Sequence, residues 1–507
     1  MATVKMDKEP ARRTSTFLKR ANFVFLCLAV ALLLATVFLS AVVGPYTQDP
    51  DYFTYVGRCL AKGRRLYFEI WDCKGPIMYW LSAVGALFGP VMGFQVVGAF
   101  AWLLAFSLVF VLSRRFCGAY SGLAVFMFAL FALGVNRFGT TGRQESVAAC
   151  FVAGGMLLGL GRMNPLRCFG AGVCAGFVLM IKPTLLMFAP AIGCWWAMSL
   201  YRNREWGVFL KSCAFAVAGG VFALLAVTAF FLPDGVPELW RGALLWNLTE
   251  RNVHSVPLFK YWKCVLAMRT FVEYYGWTIY VWGACYVAAV VLAIKSRSRE
   301  MAFLVLWSTL EAVAVFGYPG FCAHYIIMAF MPLAIAIGCG LNKCGMSLVS
   351  SMSLVLTGCA MCFTVAWSCP RIFKHIASSE KRHASFVAIK DELKSGGGGV
   401  VVYGANRTAH VMNAINALSD QRFPGIRFWI SATTQSFREE LAADFRKAAD
   451  ADDACMLLVE QPCNLDEICA MTGWNGLDKF KLWKEFPELE VAVYRKCCSS
   501  GDRNNAE

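Results

Sequence analysis

The chain has 507 residues, 58% of them in the AVILMFWYC set and only 16% charged, against about 25% charged in an ordinary soluble domain. A mean hydropathy of +0.54 excludes a soluble enzyme, a disordered chain and a collagen-like or coiled-coil rod. The net charge is +15, yet residues 370–507 carry 18 Lys and Arg against 19 Asp and Glu. The basic excess therefore lies among the apolar runs, where cytoplasmic loops collect Lys and Arg, and not in a soluble domain that could bind nucleic acid.

Lys5, Lys8, Arg12, Arg13, Lys19 and Arg20 precede an apolar run at 21–43. The run is too long for a cleaved signal peptide and reads as a signal anchor, with residues 1–20 cytoplasmic. The polar stretch 44–75 is then extracytoplasmic. Arg114-Arg115 is placed inside, so only one crossing fits between it and that loop. The crossing is 95–113, and the segment 76–90 is a helix lying at the external interface. The same reasoning gives further spans at 118–136, 146–161, 168–181, 184–200, 212–232, 275–294, 301–317, 324–341 and 347–367. The fifth and sixth turn at Lys182-Pro183. About eleven spans make up a transmembrane domain at 21–369 and put residues 370–507 outside a plasma membrane. In that tail Gly396 to Gly399 read as a flexible linker. Strand 400–403, helix 407–418, strand-like 426–430, helix 435–449 and strand 455–459 read as a small α/β domain.

Most of the 22 cysteines, among them Cys27, Cys150, Cys174 and Cys213, lie in apolar runs and read as small hydrophobes. Cys59 and Cys73 share the first external loop, where a bridge and two free thiols are equally open.

The first external loop holds the densest chemistry. Asp49 can cap a helix that begins at Pro50, and Gly63 can close it. Asp49, with Asp51 as its rival, also suits a general base that takes a proton from an attacking hydroxyl. Lys74 reads either as a lysine snorkelling to the interface or as a cation that neutralises a phosphate leaving group. Asp72 can orient it. The loop has five basic residues, which external loops normally avoid; an anionic lipid headgroup supplies a reason.

The segment from Asp49 through Tyr55-Val56-Gly57-Arg58 to Trp71-Asp72-Cys73-Lys74-Gly75-Pro76 resembles the first loop of the GT-C glycosyltransferases. It is most similar to family 39-like bacterial membrane enzymes of the dolichyl-phosphate-mannose-protein mannosyltransferase group, which includes aminoarabinose transferases acting on lipid A. Three later segments follow in the family's order: Arg143-Gln144-Glu145-Ser146 at the head of the fourth span, a hairpin ending Lys182-Pro183-Thr184, and His324-Tyr325 with Pro332. Val402-Tyr403-Gly404 resembles the opening of the family's external domain.

The resemblance implies a polyprenyl-phosphate-linked sugar as donor, an extracytoplasmic acceptor (protein, lipid or glycan) and inversion at the anomeric carbon. It implies Asp49 as base and Lys74, Arg58 and Lys182 on the lipid phosphate. Asp72, Glu145, Tyr55, His324 and Tyr325 support them. Many relatives have Asp-Glu where this chain has Asp49-Pro50, which weakens the case for a divalent metal, and no other cofactor is implied. Glu145 can equally form an ion pair with Arg143 or Arg137. Glu311, near mid-depth in the ninth span, has no family role. The alternative function is a transporter or flippase for a polyprenyl-linked glycan or small solute. That reading wants paired repeats with broken helices, and the chain offers one Lys-Pro hairpin without a second copy.

Overall fold

The computed structural model describes residues 9–43, 48–135, 138, 140–161, 163–200, 205–232, 235–250, 277–317, 323–345, 348–396, 398–404, 406–422, 435–463 and 465–497. Helices α1 (Glu9–Val43), α2 (Gln48–Ala61), α3 (Pro76–Gly85), α4 (Gly93–Cys117), α5 (Ser121–Val135) and α6 (Gln144–Gly159) come first. They are followed by α7 (Pro165–Ile181), α8 (Phe188–Leu200), α9 (Trp206–Ala229), α10 (Val236–Trp240), α11 (Trp277–Ser296), α12 (Arg299–Gly317), α13 (Ile327–Cys344) and α14 (Leu348–Ala377). The rest of the chain folds as α15 (Ser379–Gly396), β1 (Gly399–Tyr403), α16 (Asn406–Ala414), α17 (Gln435–Asp450), β2 (Ala454–Glu460), α18 (Leu465–Thr472), β3 (Phe480–Phe486) and β4 (Val491–Lys496).

Every run read as a span coincides with a helix. Among the described residues, seven stretches are long and apolar enough to cross a membrane, and one of them, 93–135, holds both α4 and α5. The protein is a multi-pass membrane protein. Helices α6 and α7 are apolar but have 16 and 17 residues. At 1.5 Å per residue that is about 25 Å, short of a hydrocarbon core of about 30 Å. Helix α12 begins with Arg299 and Glu300 and carries Glu311 within its apolar stretch.

Contacts divide the chain into two compact units. The first comprises residues 1–39, 98–225 and 258–372. Its centre is α13, buried from Ile327 to Leu341. Helices α7 and α9 approach through glycines: a Cβ on Gly172 would sit 1.8 Å from the Ala216 carbonyl oxygen. The Lys182-Pro183 turn forms as expected, because Pro183 cannot continue α7 and instead opens a 3-10 turn ahead of α8. Glu311 is fully buried on α12 and accepts a hydrogen bond from Trp307 Nε1 at 3.1 Å.

The second unit comprises residues 40–97, 226–257 and 373–507, so the first loop groups with the C-terminal residues. Helix α2 crosses α3 at Gly57, where a Cβ would lie 2.4 Å from the Ser82 carbonyl carbon. Gly63, at φ +87, stops α2 in a conformation that favours glycine. The C-terminal sheet has the order β1-β2-β4-β3, with β1 and β2 parallel and the other pairs antiparallel. The β3–β4 hairpin, α15 and α18 extend the expected α/β tail. Only Phe480 and Phe486 of β3 are buried, so no apolar alternation marks it, and Lys481, Leu482, Lys484 and Glu485 occupy its exposed positions.

Of the linker read at 396–399, Gly396 belongs to α15, Gly397 lies outside the described residues, and Gly399 N–H donates to Asp453 O at 2.6 Å. A Cβ on Gly398 would meet that same carbonyl oxygen at 2.4 Å, so glycine there serves a close approach. The helix expected at 407–418 ends at Ala414, because Asn416 turns the chain with φ +59. The strand expected at 426–430 lies outside the described residues. Cys59 and Cys73 are both buried and are not bridged to each other.

Candidate active site

In the second unit the motif Trp71-Asp72-Cys73-Lys74-Gly75-Pro76 folds around one carboxylate. Pro76 starts α3 at its first turn, with Gly75 as the extended residue ahead of it. That start brings Tyr79 back over Asp72. The Asp72 side chain is fully buried, and its Oδ1 accepts the Cys73 N–H at 2.7 Å. Its Oδ2 accepts from Lys74 Nζ at 3.3 Å and from the Tyr79 hydroxyl. The Lys74 side chain keeps 30% exposure, and its Nζ lies 5.1 Å from the centre of the Phe53 ring. A buried carboxylate thus fixes a cation that still reaches solvent, the arrangement needed to meet an incoming anion.

Two further tyrosines brace the same loop. Tyr67 donates to Lys74 O at 2.6 Å, and Tyr52 to Trp71 O at 3.3 Å. Burial, and then the negative charge of Asp72, raises the pKa of both hydroxyls well above the ordinary tyrosine value. Both therefore remain neutral donors.

Asp51, Tyr55 and Arg58 are spaced i, i+4 and i+7 and form one face of α2. That face meets α16 and the segment after it, within the same unit. Asp51 is 3% exposed; its Oδ1 lies 3.2 Å from His410 Nδ1, and its backbone oxygen accepts from Asn413 Nδ2 at 2.7 Å. The Tyr55 hydroxyl accepts the Ser419 N–H at 2.9 Å. Arg58 Nη1 donates to Met412 O at 3.2 Å and to Asn413 Oδ1 at 2.9 Å, and Nη2 donates to Asn416 Oδ1 at 2.8 Å. Burial lowers the Arg58 pKa. The guanidinium of Arg58, read in the sequence as a phosphate ligand, is buried against α16 and the residues after it, where Met412, Asn413 and Asn416 accept from it. The side chain of Asp49, the second residue of α2, lies outside the described residues.

The first unit holds a second polar cluster. Glu145 opens α6, and Lys182 ends the α7 hairpin in an extended conformation. Their side chains form an ion pair that is 2% and 10% exposed. His324 Nε2 lies 3.8 Å from Glu145 Oε1, and Lys182 Nζ sits 3.3 Å from the centre of the Tyr325 ring. Four residues picked from three separate segments thus come together. The partner of Glu145 is Lys182, in place of the expected Arg143; Arg137 lies outside the described residues. Low dielectric explains the choice, since a buried ammonium needs its counter-ion close by. Among the described residues no group of three or more His, Cys, Asp and Glu is placed to hold a metal ion.

Tyr79, His410 and Asn413 belong to these clusters and were not singled out in the sequence. Tyr79 had a signal, its position three residues into the helix opened by Pro76. His410 and Asn413 had none.

The chain matches no protein-family model and no curated protein sequence. Its backbone is similar to ArnT from Cupriavidus metallidurans bound to undecaprenyl phosphate, with a TM-score of 0.55 and 13% identity over 93% of this chain and 98% of that one. ArnT in the apo state aligns with a TM-score of 0.54 at 13% identity, over 94% of this chain and 98% of that chain. This chain has the GT-C fold. An Archaeoglobus fulgidus oligosaccharyltransferase aligns with a TM-score of 0.45 and 14% identity, over 88% of this chain and 69% of its own length.

Proposed function

We propose that this protein is a membrane glycosyltransferase that moves a sugar from a polyprenyl phosphate to an acceptor hydroxyl outside the cytoplasm. The observation that carries the reading is the ArnT-like fold along nearly the whole chain, since ArnT itself has been seen with undecaprenyl phosphate. The motif order along the sequence and the Asp72-held Lys74 support it. On this reading residues 21–369 are the membrane domain, with the catalytic loop at 44–75 and the C-terminal domain at 370–507 on the external side.

Asp49 takes the proton of the acceptor hydroxyl as that oxygen bonds to the anomeric carbon. The bond from that carbon to the phosphate oxygen breaks, the lipid phosphate leaves with the electron pair, and the configuration inverts. Lys74 stabilises the charge that develops on the leaving phosphate. Lys182, with Glu145, His324 and Tyr325 around it, is the second cation assigned to donor binding. Burial of Asp51 against His410 supports Asp49 over Asp51 as the base.

The test is release of polyprenyl phosphate by purified protein from a panel of polyprenyl-phosphate sugars, with and without divalent cations. Release with one donor, lost in Asp49→Asn and Lys74→Ala proteins that still fold, is the expected result. Full turnover by Asp49→Asn would remove it as the base. Uptake of an intact lipid-linked sugar across a vesicle membrane without cleavage would replace the transferase by a flippase.

A further inference from the structure

We infer that α16 of the C-terminal region is a clamp that sets α2, and that Asn413 is its positioning residue. The inference rests on the transferase reading for its catalytic consequence, and on geometry alone for the clamp. Asn413 is fully buried and uses both ends of its amide on one helix. Its Nδ2 donates to Asp51 O, at 2.7 Å, in the first turn of α2. Its Oδ1 accepts from Arg58 Nη1, at 2.9 Å, two turns further on. One side chain therefore fixes both the height and the rotation of α2.

The surrounding contacts repeat the pattern. Arg58 also reaches Met412 O and Asn416 Oδ1, and Asn416 presents that oxygen because it closes α16 in the left-handed conformation. Ser419 N–H holds Tyr55, between the two anchored turns. Arg64, just beyond α2, donates to the carbonyls of Ser419, Asp420 and Gln421. All of these partners are hydrogen-bonding groups with fixed directions. Apolar packing would tolerate sliding of α2; this set does not.

The consequence concerns Asp49, two residues before the anchored Asp51 on the same helix. A general base works only when its oxygen is held within hydrogen-bond reach of the acceptor proton, and displacement by about 1 Å costs on the order of 100-fold in rate. The clamp assigns a reason for the C-terminal region in a transferase whose acid–base chemistry lies on another segment. Asn413 touches neither donor nor acceptor in this account and acts only through α2.

The experiment uses the full-length protein with Asn413→Leu, similar in size but unable to hydrogen-bond, and Asn413→Asp, which keeps the acceptor for Arg58. Two readouts are taken: amide hydrogen exchange across residues 48–61, and kcat and KM for the sugar donor. Faster exchange in α2 of the Leu variant, with kcat reduced about 10- to 100-fold, donor KM within about twofold and part of the rate restored in the Asp variant, is the expected result. Unchanged exchange in α2 of a folded Leu variant overturns the clamp. Faster exchange with unchanged kcat, or a loss confined to KM, overturns the positioning role. A wild-type protein that cleaves no donor overturns the transferase reading instead, and the exchange comparison still decides the clamp.

Discussion

Removing Lys182 tests how the first unit handles charge. In Lys182→Met the ammonium is lost while Glu145, 2% exposed, remains buried with the His324 ring, a cation only when protonated, at 3.8 Å. Breaking a buried pair from one side costs about 3–5 kcal/mol, because it leaves a buried charge uncompensated. Glu145→Gln cuts the pair from the other side. It leaves Lys182 Nζ 3.3 Å from the centre of the Tyr325 ring, a cation–π contact worth about 2 kcal/mol when desolvated. The Gln variant therefore loses less, roughly 1–3 kcal/mol once that contact is credited. The double variant strands no charge, so its loss falls short of the sum of the two single losses, with a coupling of up to about 3 kcal/mol. Thermal unfolding of the four detergent-solubilised proteins reads the order: wild type, then the Gln variant and the double variant, then Lys182→Met lowest. Additive losses, or a Met variant as stable as wild type, would refute the argument that Glu145 depends on Lys182. If stability is restored in the double variant while donor cleavage stays lost, the pair serves the reaction as well as the fold.

Gly57→Ala puts a methyl against the Ser82 backbone, where no side-chain rotation can relieve it; unfolding should fall by the upper end of about 1–3 kcal/mol, and an unchanged midpoint would contradict the α2–α3 crossing. Arg58→Leu leaves the Asn413 and Asn416 side-chain oxygens without their Arg58 donor, while the Met412 carbonyl keeps the Ala417 N–H, a loss of about 1–3 kcal/mol, read as earlier proteolysis of residues 373–507. Asp450 has its pKa lowered chiefly by the hydrogen bond from Lys479. A lowered carboxyl pKa contributes stability above the ordinary carboxylate range, which is lost as pH falls through the lowered value. Asp450→Asn should therefore lower the unfolding midpoint slightly at pH 7 and match wild type in acid; a difference that persists in acid would contradict the assignment.

Much of the architecture is legible in the residues. Lys and Arg at the ends of apolar runs locate the helices, since a charged side chain is expensive inside hydrocarbon. The loop chemistry is legible where the partners are close in sequence: Asp72, Lys74 and Tyr79 fall within eight positions, and Pro76 fixes the turn between them. Legibility drops with separation. Glu145 and Lys182 are 37 residues apart, and on sequence only the nearer Arg143 and Arg137 offered themselves as partners. Arg58 reads as a phosphate ligand because an arginine in an external loop needs an anion. Its actual acceptors are 354 to 358 residues away and are neutral carbonyl and amide oxygens. The i, i+4, i+7 spacing of Asp51, Tyr55 and Arg58 was visible, but nothing local says which element that face meets. The β3 strand was hidden for a different reason: as an edge strand with charged exposed positions it lacks the alternation that marks a strand in sequence.

The amino-acid sequence alone determined that this is a helical membrane protein with a small α/β tail. Hydrocarbon leaves a backbone few ways to satisfy its polar groups, and composition shows which segments must comply. It also put Asp72 beside Lys74, two residues apart in one short loop. Only the tertiary structure decided the fate of the remaining polar groups. Buried charges and amides take whatever partner the packing brings within hydrogen-bond reach, and that partner is chosen in space, hundreds of residues from the group it satisfies.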